Sequence, residues 1–246
     1  MIKLELHPKP EQLTDQFVND KTMAYMADKT KRVWDIPWLK DAIAAMSYNK
    51  CCYSEVPINQ ESRYMEIDHF LPKNIYPEKV LEWGNLLPSC QACNRAKGAH
   101  DPVREPIVNP FTEHPKEYFY FQGWAYKVRP TLNDSKKQKA RLTLKKLKLN
   151  DINQWGKKRN SIIDDLQTTL SDILIIQATD PERSVIRLKR IMQEGNRCEG
   201  YAALVSTIIL SDENYQELET ILKSSGLWDT ELQSRKEELE FCELLK

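Results

Sequence analysis

The hydrophobic positions of this chain change period twice. Over residues 11–46 the apolar side chains Leu13, Phe17, Met23 and Met26, then Trp34, Trp38, Ile43 and Met46, recur at roughly helical spacing, with Pro37 dividing the stretch. From about Asn49 to Pro110 the pattern shortens into strands and turns, punctuated by prolines at 57, 72, 77, 88, 102, 106 and 110. Tyr118-Phe119-Tyr120-Phe121 and Trp124-Ala125-Tyr126-Lys127-Val128 flank Gln122-Gly123 and predict a β-hairpin, because aromatic and β-branched residues surround a glycine turn. Its aromatics serve either packing, the favoured use, or base stacking. Beyond Pro130 helical spacing returns: Ile163, Leu166, Leu170, Ile173 and Leu174 form one apolar stripe, Val185, Leu188, Ile191 and Met192 a second, and Leu204, Val205, Ile208 and Ile209 a third. The pattern predicts an α+β chain, predominantly α-helical, in four segments: an N-terminal helical adapter or lid without chemistry of its own (1–46), a strand-and-turn module (47–110), the hairpin (111–130) and a C-terminal helical region (131–246).

Composition narrows the class. A chain of 246 residues with 41% hydrophobic content supports one large core or two modest ones. Lys plus Arg equals Asp plus Glu at 36 each, so overall charge gives no warrant for nucleic-acid binding, and any warrant is local. The local asymmetry is a basic run, Lys136, Lys137, Lys139, Arg141, Lys145, Lys146, Lys148, Lys157, Lys158 and Arg159, against a mostly acidic stretch after Ser211. A solvated helix face and a phosphate-contacting stripe explain that run equally well. Nothing resembles an apolar leader or approaches the roughly eighteen apolar residues of a membrane span, so a cytoplasmic protein with no membrane partner is expected. In that compartment the six cysteines are metal ligands or core residues rather than disulfides. Cys198 and Cys242, alone on helical segments, read as small buried hydrophobes.

The chemistry concentrates in Glu66-Ile67-Asp68-His69-Phe70-Leu71-Pro72-Lys73 and Asn85-Leu86-Leu87-Pro88-Ser89-Cys90-Gln91-Ala92-Cys93-Asn94-Arg95-Ala96-Lys97-Gly98. Hydrolysis of a phosphodiester needs a base for water, positive charge on the phosphate and stabilisation of the leaving oxygen. His69 is the candidate base, since imidazole titrates nearest neutrality. Asp68 and Asn94 offer hard oxygen ligands suited to Mg²⁺ or Mn²⁺. Lys97, one helical turn after Asn94, is expected to share its face and reach the phosphate. In a regular strand Asp68 and His69 point to opposite faces, so the site is expected to need a bend or bulge, which Pro72 favours. Asn85 reads as a brace for its loop through backbone hydrogen bonds, and Glu66 as a structural partner or an orienting group. His100 and His114 are reserve ligands at most, and His7 has no motif around it.

Cys90 and Cys93 have the spacing of a zinc knuckle. Upstream, Cys51-Cys52-Tyr53-Ser54 sits where a second C-x-x-C is expected, but Ser54 replaces its last cysteine. Cys51, Cys90 and Cys93 are the candidate ligands of a structural Zn²⁺, with Cys52 or a distant group as the fourth. The alternative is a knuckle that survives on packing without metal.

Taken in order, Asp68-His69-x-x-Pro72, Asn85-Leu86 and Cys90-x-x-Cys93-Asn94-x-x-Lys97 resemble the HNH endonuclease family. That resemblance covers residues 47–100 or so and implies a ββα-metal core around one divalent ion, with Asp68 and Asn94 as metal ligands, His69 as base and Asn85 as the bracing asparagine. A wider likeness, through Trp34, Lys50-Cys51-Cys52-Tyr53-Ser54-Glu55, the Cys90 to Asn94 knuckle and Asn109-Pro110-Phe111, is to PtuB-type HNH proteins. It implies the nuclease effector of Septu anti-phage defence, alone or within a retron system, docked by its helical flanks to an SMC-like ATPase resembling PtuA. The near-neutral charge suits a nuclease that borrows its partner's surface. DNA is the favoured substrate, with an RNA (tRNA)-cleaving effector and a non-catalytic nucleic-acid-binding scaffold as the alternatives.

Overall fold

A computed structural model describes residues 1–58 and 65–246. The chain divides into two compact units, one of Lys3–Pro115 with Leu132–Leu149, the other of Lys116–Thr131 with Asn150–Lys246.

In the first unit, α1 (Asp15–Ala27) and α2 (Pro37–Ala45) precede strands β1 (Met65–His69) and β2 (Leu86–Cys90) and the short helix α3 (Gln91–Lys97). After the single turn α4 (Pro115–Tyr118), α5 (Asp134–Lys146) belongs to this unit again. Local chemistry sets the helix ends. Thr14 caps α1 by accepting from the Phe17 N–H, and Pro37 opens α2, where a missing N–H costs nothing. Gly98 closes α3 at φ 54° and ψ −132°, a conformation open to glycine alone, while its N–H donates to the Asn94 carbonyl. β1 and β2 run antiparallel, from Met65 opposite Cys90 to His69 opposite Leu86, and α3 lies against both. Pro88 in β2 has no N–H to give, which a two-stranded sheet with open outer edges tolerates. Its carbonyl accepts from the Cys52 N–H (2.9 Å), and this ties the cysteine turn to the sheet.

The apolar period over 11–46 identified helix but not its inward face. Residues 28–36 carry no helix, and in α1 Met23 and Met26 are exposed while Thr22 and Tyr25 are buried. Tyr25 turns inward because its ring meets the edge of Trp34, 5.8 Å between centroids. α5, expected with the C-terminal helices, packs instead on the segment that follows α3. Thr143 Oγ1 accepts from the Val108 N–H (2.8 Å), and Lys139 and Lys146 pair with Glu113 and Glu105.

The second unit holds the expected hairpin, β3 (Phe119–Gln122) and β4 (Ala125–Val128), with Gly123 at φ 57° in its turn. Phe119, Phe121 and Tyr126 are buried and stack on one another, so these rings pack rather than wait for bases. A π-helical turn (Ile152–Gly156) leads into α6 (Lys157–Gln177), α7 (Pro181–Gln193), α8 (Ala202–Ser211), α9 (Glu213–Ser224) and α10 (Thr230–Cys242). Their core is the expected one: Leu166, Leu170 and Ile173 of α6, Leu188, Ile191 and Met192 of α7, and most of α8. Asp180, Asp212 and Asp229 cap α7, α9 and α10 through their carboxylates.

Two expectations fail in this unit. Arg159 belongs neither to a solvated face nor to a phosphate stripe: it is buried, with its guanidinium over Tyr126 (4.9 Å) and donating to the Trp124 carbonyl. Cys198 is exposed, because it follows Asn196 in a turn whose side chain accepts from the Cys198 N–H, whereas Cys242 is buried as expected. Among the described residues no helix is long and apolar enough to cross a membrane. Truncating the fully buried Leu170 to Ala is expected to destabilise the fold by about 3 kcal/mol, read from denaturant melts followed by circular dichroism.

Candidate active site and metal centre

β1 is a regular ladder from Met65 to His69, and of the bend or bulge expected at its end the structure has the bend. The chain bends at Phe70, directly after His69. The two side chains leave opposite faces of the strand, yet both line one cleft of about 210 Å³ that wraps the strand's end. Tyr25, Lys73, Asn94 and Gly98 line it with them.

His69 is 5% exposed, and its Nε2 lies 2.9 Å from the Val80 carbonyl. A carbonyl only accepts, so Nε2 carries the proton and Nδ1 is left as the basic nitrogen. Burial, and then the charge of Lys73, push the imidazole down to about 4, which leaves it neutral near pH 7. Trp34 meets the ring edge-on, 4.9 Å between centroids.

Asp68 is 2% exposed and takes a hydrogen bond on each oxygen. Lys97 Nζ donates to Oδ1 (2.8 Å) and the Tyr53 hydroxyl to Oδ2 (2.6 Å). Burial, together with the Asp68 charge, raises the Tyr53 phenol well above its ordinary value, so it stays protonated as a donor. Lys97 corrects the expectation of an ammonium facing a phosphate. Its side chain is sealed, and Nζ also donates to the His69 carbonyl (2.7 Å), so it fastens the strand end to α3 from beneath.

Asn94 donates its Nδ2 to Glu66 Oε2 (2.7 Å), which fixes the amide plane and leaves the carbonyl end to accept. Glu66 is thus an orienting group. Asn85 lies outside the cleft lining. Its Oδ1 accepts from the Leu71 N–H (2.7 Å), and its Nδ2 donates to the carbonyls of Lys79 (2.9 Å) and Leu71 (3.1 Å), which holds the loop between the strands. Asp68 with lone pairs beyond its two hydrogen bonds, and an oriented Asn94 carbonyl on the same cleft, are the hard donor set that suits Mg²⁺ or Mn²⁺.

The second centre is the cysteine cluster. The sulfurs of Cys51, Cys90 and Cys93 lie within 4.8 Å of one another, and all three residues are buried. Tetrahedral Zn²⁺ with bonds of about 2.3 Å needs sulfurs roughly 3.8 Å apart, so the spacing fits after slight closure. Ser54 lies against the cluster, its Oγ 3.6 Å from Cys90 Sγ, whereas Cys52 is buried but does not join the three grouped sulfurs. Burial pushes the Cys51 thiol up, but donors from Cys90, Cys93 and Ser54 outweigh it and hold Cys51 well below the ordinary thiol value. Cys90 is pushed up to about 12, chiefly because it donates to Cys51. His100 donates from Nε2 to the Glu105 carbonyl (2.7 Å), His7 and His114 are exposed, and none joins a metal-ligating group among the described residues.

Four contributors were not read from the motif: Tyr25, Trp34, Tyr53 and Lys73. Tyr53 and Lys73 sit inside or beside the quoted fragments, so adjacency was their signal. Tyr25, which lines the cleft, and Trp34, whose ring meets His69, come from the segment read as an adapter, and nothing in their spacing marks them.

The HNH endonuclease family model matches residues 50–100. The chain is 32% identical over 243 residues to the Septu protein PtuB of Bacillus thuringiensis, covering 95% of this chain and 91% of that one. To the Septu protein PtuB of Bacillus mycoides it is 31% identical over 136 residues, 43% of this chain and 44% of that one.

Two outcomes are expected from these geometries. Lys97→Ala strands the buried Asp68 carboxylate and lowers stability by about 3–5 kcal/mol, seen as a depressed thermal midpoint; a solvent-facing phosphate ligand leaves the midpoint unmoved. Native mass spectrometry finds about one zinc per chain, Cys90→Ser loses it, and Ser54→Cys retains it against a higher concentration of chelator.

Proposed function

The chain belongs to the PtuB family of Septu proteins and carries an HNH endonuclease domain, and on that premise we propose that it hydrolyses nucleic-acid phosphodiester bonds as a defence effector in the bacterial cytoplasm. The observation that carries the reading is the convergence of Asp68, His69 and Asn94 on one cleft, with His69 neutral and its Nδ1 unprotonated.

Asp68 and Asn94 would hold a Mg²⁺ or Mn²⁺ ion, whose charge when bound draws electron density from the phosphate. Nδ1 of His69 takes a proton from water, and the Nε2 bond to Val80 fixes the tautomer that makes this possible. Trp34 and Val80 hold the ring from two sides, so the base does not reorient between turnovers. Asn85 keeps the loop after the strand closed around the cleft. DNA is the favoured substrate. Control by an SMC-like ATPase resembling PtuA fits a zero net charge, because a nuclease acting alone gains from a basic surface.

The test assays plasmid DNA and RNA cleavage with the chain alone and with the ATPase, in Mg²⁺, Mn²⁺ and EDTA. Cleavage is expected to need the metal and to fall by about 100- to 10,000-fold in His69→Ala, with the variant shown folded by circular dichroism at the assay temperature. Equal cleavage by His69→Ala rejects the assignment. Binding without metal-dependent cleavage, under every partner condition, points to a scaffold instead.

A further inference from the structure

If the cleft works on a phosphodiester, a side-chain cation beside the metal ligands would meet the anion's other oxygens, and the lysine of the motif is not that cation. Lys97 is sealed beneath the floor, with its Nζ committed to Asp68 and to the His69 carbonyl. Lys73 differs in each respect. It lines the cleft beside Asp68, His69 and Asn94, is only half-buried, and forms no ion pair among the described residues. Its Nζ stands 4.9 Å from the centroid of the Trp34 ring, so an aromatic face holds the ammonium while its N–H donors stay uncommitted. Trp34 is fixed in turn by edge contacts to Tyr25 (5.8 Å) and to His69 (4.9 Å). One indole therefore sets the positions of both the base and the cation.

We propose that Lys73 is a catalytic residue that contacts the scissile phosphate, donating from Nζ to a non-bridging oxygen, with Trp34 as its positioning residue. The proposal rests on the nuclease reading above. As the water oxygen loses its proton to His69 Nδ1 it forms the new P–O bond, and the P–O bond to the leaving oxygen breaks. That oxygen takes its proton from solvent. Lys73 transfers nothing; its hydrogen bond strengthens as charge builds on the phosphoryl oxygens. Partial desolvation makes that charge more effective than a surface lysine's.

The experiment compares wild type, Lys73→Met, Lys73→Gln, Lys73→Arg, Trp34→Ala and Trp34→Phe, each shown folded by its thermal midpoint. Lys73→Met and Lys73→Gln are expected to lower kcat by about 100- to 1,000-fold, and Lys73→Arg to recover all but about tenfold. Trp34→Phe retains more activity than Trp34→Ala, as a ring that positions a cation requires. A second arm measures binding of a fluorescent DNA or RNA oligonucleotide in the His69→Ala background across salt concentrations. Adding Lys73→Met lowers the slope of log affinity against log salt by about 0.7–0.9, one phosphate contact. Cleavage by Lys73→Met within about twofold of wild type overturns the proposal. If wild type cleaves nothing, the nuclease reading is what fails; the salt slope then judges the contact, and an unchanged slope overturns it.

Discussion

The buried carboxylate of Asp68 is the constraint from which the rest of the HNH domain follows. An isolated charge at 2% exposure is too costly to keep ionised, so every element that touches it must bring a donor. α3 brings the Lys97 ammonium and the cysteine turn brings the Tyr53 hydroxyl, while β1 supplies the carboxylate and, through His69, a second acceptor for the same lysine. Strand, helix and turn thus meet at one charge. Shifting any of them leaves either the carboxylate or the ammonium without its partner, a penalty larger than most single packing contacts supply.

The two centres share these short segments. Tyr53, which steadies Asp68, lies between Cys51 and Ser54 of the sulfur cluster, and Cys93 of that cluster immediately precedes Asn94 of the cleft. Contraction around a tetrahedral ion would therefore be felt within one or two residues by both oxygen donors. This is a mechanical reason for a cysteine cluster beside a site that uses no sulfur. The cluster's three thiols join the turn after Lys50 to the start of α3.

Much of this was legible in the sequence, and the failures have physical causes. Asp68, His69, Asn85 and Asn94 announce themselves because their spacing repeats a known order, and the hairpin and C-terminal core because alternation and helical period report burial directly. Lys97 was misread because helical phase gives a direction but not depth: it shares α3 with Asn94 yet sits on the buried side, where Asp68 requires it. The break after His69 is legible because alternation sends Asp68 and His69 to opposite faces, and only a bend at the strand's end lets one cleft reach both. Arg159 and Cys198 ran against residue averages, the one because an aromatic cage replaces water around a guanidinium, the other because an Asx turn needed exposed chain. Trp34 and Lys73 were invisible as a pair, since nearly forty residues separate two groups that only the tertiary fold stacks.

That pairing puts one side chain between the base and the space open to a phosphate. A base must be unprotonated before it acts. Burial lowers the proton affinity of His69 foremost and the charge of Lys73 lowers it next, while the acceptor at Val80 opposes both. The same ammonium lines the cleft and lies over the Trp34 ring, so its N–H donors stay open to an anion. A neutral residue at position 73 gives up those donors, whereas Lys97, sealed against Asp68 and the His69 carbonyl, has none to offer the cleft.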